Sequence, residues 1–273
     1  MLTLIFFTLA LLLLASNIFF AFFSNKKAQL LMDIALLLLL AATSLLMYYF
    51  KVDKTYFAII RADPFSFFFS FLFSVAFILI ALLAYSYAPD FSYFSILSSF
   101  AIFGMFTVVF AGYLLLILIG LELATLPSVF IVLLSRRNSM EAAVKFLIMS
   151  IFVASLLSFA IVLVYGSTGS VLLTNLSKIG YAVIALIFFV ASLGFDASQF
   201  PFNVLIPDIY QGSSSYATAM LGGINKKLGF AALMQVLIVL FIGLNLAFEI
   251  AAILSVFTMF YGNLVALMQK NLK

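Results

Sequence analysis

The sequence predicts an all-α integral membrane protein of about nine transmembrane helices, and three observations carry that prediction. Of 273 residues, 67% are apolar or aromatic and 8% are charged, against roughly 45–50% apolar and about 25% charged in a soluble domain. Mean hydropathy is +1.34. The apolar residues gather in nine long runs, at 2–23, 28–50, 64–88, 91–111, 113–134, 144–166, 180–200, 216–242 and 247–268. Each can cross a hydrocarbon core ~30 Å thick at about 1.5 Å per residue.

No Lys or Arg precedes Lys26, so the first run lacks the basic start of a signal peptide and reads as a retained helix. Stretches such as Leu36 to Leu40 do not alternate as the strands of an outer-membrane barrel do. The first three runs are rich in Phe and Leu, whereas polar and ionisable residues accumulate inside later ones, beyond residue 90. Asp33 and Glu249 sit near span ends, where a carboxylate can reach the interface. Ser150, Ser155 and Ser158 suit helix-packing contacts, and Gly166–Ser170 and Gln211–Ser215 are loops by composition. Most of the 35 Phe and 12 Tyr read as packing or lipid-facing side chains, with some Tyr at the interfaces.

Cys and His are absent, which removes the usual ligands of haem, iron–sulfur and zinc sites. Net charge is +4 with a pI near 9.2, but the basic residues are scattered, as expected of loop ends rather than of a nucleic-acid surface. Lys26, Lys27, Arg136, Arg137, Lys145, Lys270 and Lys273 fall on one face, and Lys51, Lys54, Arg61 and Lys178 on the other. The positive-inside rule then puts the N-terminus outside and the C-terminus in the cytoplasm. No P-loop, dinucleotide fingerprint or nucleophile elbow is present. Gly222-Gly223 lies in a span and reads as a close-packing site.

The charges inside spans carry the most information. Each costs about 2.5–3.5 kcal/mol at a helix centre, so such residues face a protein interior or a water-filled path. Glu122 is near the middle of the fifth run and Lys226 and Lys227 near the middle of the eighth, while Asp196 lies five residues before Pro201. Any one alone reads equally well as half of an ion pair locking two helices. Three mid-span sites of both signs favour a proton or ion path, because desolvated ionisable groups can exchange protons near neutral pH. Pro201 lacks an N–H and its ring opposes the carbonyl of Ala197, so a helix break beside Asp196 is expected, with a simple kink or span end as the plainer reading. Broken helices recur at transporter ion sites. Pro127 suggests the same for the fifth run, more weakly.

Several motifs then occur in order. Gly120-Leu-Glu-Leu-Ala-Thr-Leu-Pro127, Arg136-Arg137 and Glu141-Ala-Ala-Val-Lys-Phe146 resemble the fifth helix and following loop of the antiporter-like subunits of respiratory complex I. Leu193-Gly-Phe-Asp-Ala-Ser-Gln-Phe-Pro-Phe-Asn203 and Pro207-Asp-Ile-Tyr-Gln-Gly212 resemble their discontinuous seventh helix and its exit loop. With Asp63-Pro-Phe-Ser66, Asn225-Lys-Lys-Leu-Gly-Phe230 and Gly262-Asn-Leu-Val-Ala-Leu267, the chain is most similar to subunit N.

The resemblance implies a proton-translocating unit of an NADH:quinone oxidoreductase membrane arm or a close relative. Such a unit binds no cofactor itself; NADH or another donor, iron–sulfur clusters and quinone belong to partner subunits in the same cell or organellar inner membrane. It implies three leading helices at 1–88, a five-helix antiporter-like repeat at 91–242, and at 247–268 the first helix of a second, inverted repeat, apparently truncated or split there, so that a second chain would complete the fold. By position Glu122 is the family's fifth-helix glutamate and Lys226 its eighth-helix lysine, with Lys227 beside it and Lys145, Asp33 and Glu249 as accessory candidates. Asp196 stands where the family has a lysine, and Asn203 where it commonly has a histidine. Other readings are a subunit of a multisubunit Na⁺/H⁺ antiporter or membrane-bound hydrogenase, and a transport-inactive scaffold.

Overall fold

The computed structural model describes residues 2–23, 25–56, 59–135, 139–173, 182–203, 206–241 and 245–269. Arg136, Arg137, Lys178, Lys270 and Lys273, on which much of the charge bias rests, lie outside the described residues. The nine apolar runs are helical: α1 (Leu2–Phe23), α2 (Lys26–Tyr49), α3 (Pro64–Tyr87), α4 (Phe91–Val109), α5 (Leu114–Leu134), α6 (Met140–Thr168), α7 (Ala182–Asp196), the segment Ser215–Leu240 and α11 (Asn245–Met268). A short α8 (Ile206–Gly212) follows the break after α7. The eighth run is α9 (Ser215–Met220) and α10 (Lys226–Leu240), joined through a π-helical turn at Leu221–Asn225. This is a multi-pass helical membrane fold.

Local chemistry sets several boundaries. Asp63 caps α3, its Oδ1 accepting from the Ser66 amide at 2.8 Å, with Pro64 in the first turn where the missing N–H costs nothing. Gly169, at φ 68°, terminates α6, so Gly166 to Thr168 belong to the helix rather than to the loop their composition suggests. Pro127 does not break α5, which runs through it; neighbouring helices make an internal proline tolerable in a membrane bundle.

A feature absent from the sequence reading is a hairpin between α2 and α3, with β1 (Lys54–Tyr56) antiparallel to β2 (Ile60–Ala62). The Arg61 amide donates to Phe110 O and the Gly112 amide to Ile59 O, both at 2.8 Å. Beyond it, the Leu114 amide donates to Val171 O and the Leu173 amide to Gly112 O, both at 2.9 Å. One end of the bundle is therefore stitched by backbone bonds running from the hairpin through the α4–α5 turn to the segment after α6.

Below this strap lies an aromatic cluster of Phe6, Phe67, Phe106 and Phe110, with ring centroids 5.1–5.3 Å apart. Phe19, Phe68, Phe130, Phe152 and Phe159 are exposed, as side chains facing lipid would be. Ser150, Ser155 and Ser158 bond carbonyls of their own helix and Ser155 is exposed. Their hydroxyls bond the preceding turn of α6, as helical serines readily do, while Ser150 is buried in the bundle as a packing residue would be.

Helices α4 and α5 approach closely through Gly104 and Gly120. A Cβ on Gly104 would lie 2.6 Å from Ala124 N and 2.8 Å from Gly120 O, and one on Gly120 would lie 2.9 Å from Gly104 O. Small residues at such crossings are what allow membrane helices to pack backbone to backbone. Gly104→Ala is expected to destabilise the detergent-solubilised chain by about 1–3 kcal/mol through overpacking. Gly166→Ala, where a Cβ meets nothing within 4 Å, is expected to leave the thermal midpoint unchanged or raised; equal midpoints for the two variants would refute the account of the crossing.

Candidate functional site

The helix break is built by α7 itself. Ser198 adopts φ 61°, its amide donates to Phe195 O at 2.9 Å, and the Gln199 amide donates to Gly194 O at 2.7 Å. These two bonds form a Schellman terminus, with serine in the left-handed position that usually takes glycine, a cost of roughly 1–2 kcal/mol. The helix thus ends at Asp196 before Pro201 is reached, and Pro201 follows within a turn region that leads to α8. The break lies beside Asp196 as its sequence suggested, but the agent is the cap.

Helix α10 seats directly on that terminus. A Cβ on Gly229 would lie 2.5 Å from both Ala197 N and the Asp196 carbonyl carbon, so only glycine permits this approach of helix to broken end. Three residues earlier, Lys226 is half-buried, with Nζ 5.9 Å from the ring centroids of both Phe146 on α6 and Phe195 on α7. Such a setting holds an ammonium against two ring faces. Asp196 is buried at the negative end of the α7 dipole. It is within electrostatic range of Lys226 on one side and of half-buried Glu122 on the other.

Glu122, Asp196 and Lys226 are therefore brought together from α5, α7 and α10. Among the described residues no ion pair within 4 Å joins any two of them. Around them, Ser198 Oγ, Gln199 Oε1, Asn203 Oδ1 and Asn225 Oδ1 are buried with no protein partner, the kind of atom that ordered water serves. Asn225 Nδ2 donates to Ser128 Oγ on α5 at 2.7 Å, tying the π-helical turn to the helix that carries Glu122. A cavity of about 410 Å³ opens from the break toward α11, lined among others by Ser198, Asn203, Tyr210, Lys226, Lys227 and Thr258. Thr258 Oγ1 of α11 accepts from the Phe200 amide at 2.9 Å.

The other candidates are dispersed. Lys227 is exposed and reaches the cavity rather than Asp196. Lys145 pairs with Glu141 at 2.7 Å and Asp208 at 3.3 Å, an outer ion network between α6 and α8. Glu249 is exposed. Asp33 does not reach the interface as expected: it is buried, 5% exposed, and its carboxylate is bonded to Asn17 and Ser95, because the crossing of α1, α2 and α4 supplies polar partners inside the bundle. Asn225 and Gly229 stood in a motif that carried the family resemblance but had no structural role assigned to them, and the π-helical turn was not expected. The one signal for the turn was Gly222-Gly223, where a Cβ on Gly222 would lie 3.1 Å from Tyr210 Oη; π-helical turns often mark functional sites.

A family profile described as NADH:quinone oxidoreductase/Mrp antiporter, TM, matches residues 111–273. The NADH-quinone oxidoreductase subunit N of Herminiimonas arsenicoxydans is 34% identical over 191 residues, 66% of this chain and 39% of that protein. The F(420)H(2) dehydrogenase subunit N of Methanosarcina mazei is 32% identical over 241 residues, 82% of this chain and 48% of that protein. This chain thus spans less than half the length of these relatives. A chain of respiratory complex I from Thermus thermophilus superposes with a TM-score of 0.84 at 26% identity, covering 98% of this chain and 60% of that one. A chain of the Mrp complex from a Dietzia species shares the fold, with a TM-score of 0.77 at 19% identity over 86% of this chain and 48% of that one. Because the profile spans well over half of the 273 residues, the protein belongs to the NADH:quinone oxidoreductase/Mrp antiporter family of membrane subunits.

Proposed function

We propose that this chain is a subunit N-type proton carrier in the membrane arm of an NADH:quinone oxidoreductase or a related redox-driven pump. The observation that carries this reading is the convergence of Glu122, Asp196 and Lys226 beside a helix break whose buried polar atoms lack protein partners. Protons would pass between the three through water and leave by the cavity at the break. Glu122 and Asp196 supply two carboxylates to this path. Lys226 supplies the positive charge whose displacement redistributes protons between them. Water suits Ser198, Gln199, Asn203 and Asn225 as the connecting medium.

In this reading the chain itself holds no redox centre. Electron donor, iron–sulfur clusters and quinone belong to partner subunits of a respiratory complex in a cell or organellar inner membrane, with the N-terminus outside and the C-terminus in the cytoplasm. Residues 1–88 are leading helices and 91–242 the antiporter-like repeat. Helix α11 opens a second repeat: Ala247 is its only buried described residue, so further helices, on a second chain or on a longer form of this one, have a face to cover. The replacement of the family lysine by Asp196 adds an oxygen ligand, which supports a second reading in which an alkali cation is coupled.

Glu122→Gln and Lys226→Ala are each expected to cut proton translocation by the assembled complex to a small fraction of wild type while electron transfer assembles normally. Unchanged proton-to-electron stoichiometry in both would refute the axis, and transport that follows Na⁺ or K⁺ instead of pH would transfer it to the cation reading. Asp196→Asn is expected to impair pumping as strongly as Glu122→Gln, and Asp196→Lys to retain it better than the amide. Full pumping by Asp196→Asn would remove Asp196 from the path.

A further inference from the structure

Asp33 sits outside the axis, in the leading helices, within a network drawn from α1, α2 and α4. Asn17 Nδ2 donates to Asp33 Oδ1 at 2.7 Å and to Leu13 O at 3.1 Å. Gln29 Nε2 donates to Asn17 Oδ1 at 3.0 Å. Ser95 Oγ lies 2.6 Å from Asn17 Oδ1 and also contacts Asp33 Oδ2. All four residues are buried.

Counting hydrogens fixes the protonation state. The Asn17 amide cannot be flipped, because its oxygen would then face both Asp33 Oδ1 and Leu13 O, two acceptors. Its Oδ1 therefore points at Ser95 and accepts only. Ser95 carries one hydroxyl hydrogen but touches two acceptor oxygens, Asn17 Oδ1 and Asp33 Oδ2. With an ionised carboxylate, one of these oxygen–oxygen contacts has no hydrogen in it. With a neutral acid both close: Asp33 Oδ2–H donates to Ser95 Oγ, and Ser95 Oγ–H donates to Asn17 Oδ1. An uncompensated carboxylate in this buried setting would also be costly.

We infer that Asp33 is a second proton-binding site of this membrane domain, holding its proton in the packed state and making the seating of α1 and α2 on α4 depend on it. The adjoining cavity is about 20 Å³, lined by Phe77, Ala81, Ser98 and Ile102 among others, room for roughly one water. No other titratable group lines it: α1 has none among its described residues, α3 offers Phe77 and Ala81, and α4 offers serines and Ile102. Lys26, Lys27 and Asp90 are exposed near the helix starts, and Lys26 Nζ donates to Pro89 O at 3.4 Å. Losing the proton strips the hydrogen from one contact and opposes two lone pairs, so deprotonation loosens this crossing. The inference is independent of the Glu122–Asp196–Lys226 reading.

The test is infrared spectroscopy of the full chain in lipid nanodiscs at neutral pH, with each variant's spectrum subtracted from that of the wild type. The expected result is a protonated-carboxyl C=O band in the wild type that is absent in Asp33→Asn and displaced in frequency in Ser95→Ala, with Glu122→Gln and Asp196→Asn removing different bands. A spectrum of Asp33→Asn identical to wild type means an ionised Asp33 and overturns the proposal. Failure of Asp33→Asn to fold also overturns it, because the amide keeps the neutral acid's acceptor toward Asn17 and a donor toward Ser95, adding one N–H beside the small cavity. A Ser95→Ala band at the wild-type frequency counts against the hydroxyl bridge and the site with it.

Discussion

The candidate site rests on one close approach, that of the α10 backbone at Gly229 to the severed end of α7. In lipid a helix terminus with free backbone groups is tolerated only where protein or water meets it. Here the Schellman bonds satisfy part of the terminus and Gly229 presses on the rest. That contact brings Lys226 beside Phe195 and toward Asp196, and the tie from Asn225 to Ser128 carries the arrangement across to α5 and Glu122. Without it, three charged residues on three helices would be separate liabilities in a hydrocarbon medium.

Two buried polar systems coexist in the bundle and differ in how complete they are. Around Asp33 the carboxylate, the Asn17 amide and the Ser95 hydroxyl all have protein partners, and the adjoining cavity is very small. Around Asp196 several atoms have none, and a large cavity opens next to them. A saturated network holds one arrangement, whereas an unsaturated one takes water and can exchange partners. The first joins α1 and α2 to α4, and the second joins α5, α7 and α10.

Much of this was legible in the sequence because lipid restricts the choices. All nine apolar runs hold helices, seven of which are long and apolar enough among the described residues to cross a membrane, and Glu122 and Asp196 face inward as mid-span charges should. The motifs around Glu122, Pro201 and Lys226 pointed to the family. What remained hidden depended on contacts between distant segments: the hairpin at 54–62 is stabilised by the α4–α5 turn, and Asp33 is buried because Asn17 and Ser95 meet it from other helices. Pro127 misled because a proline's local cost says nothing about the neighbours that offset it, and the π-helical turn at 221–225 left only a pair of glycines as a trace.

The backbone strap at the hairpin end makes the bundle mechanically one-sided. It fastens the adjoining ends of α4 and α5, and the segment following α6, with hydrogen bonds of 2.8–2.9 Å. At the opposite face the described links between loops are a few side-chain bonds, such as the Ser214 amide to Ser135 Oγ at 3.2 Å. Among the described residues, helices α4 and α5 are thus pinned at one end by backbone and joined at the other by side chains alone, so the bundle is stiffest where the hairpin lies.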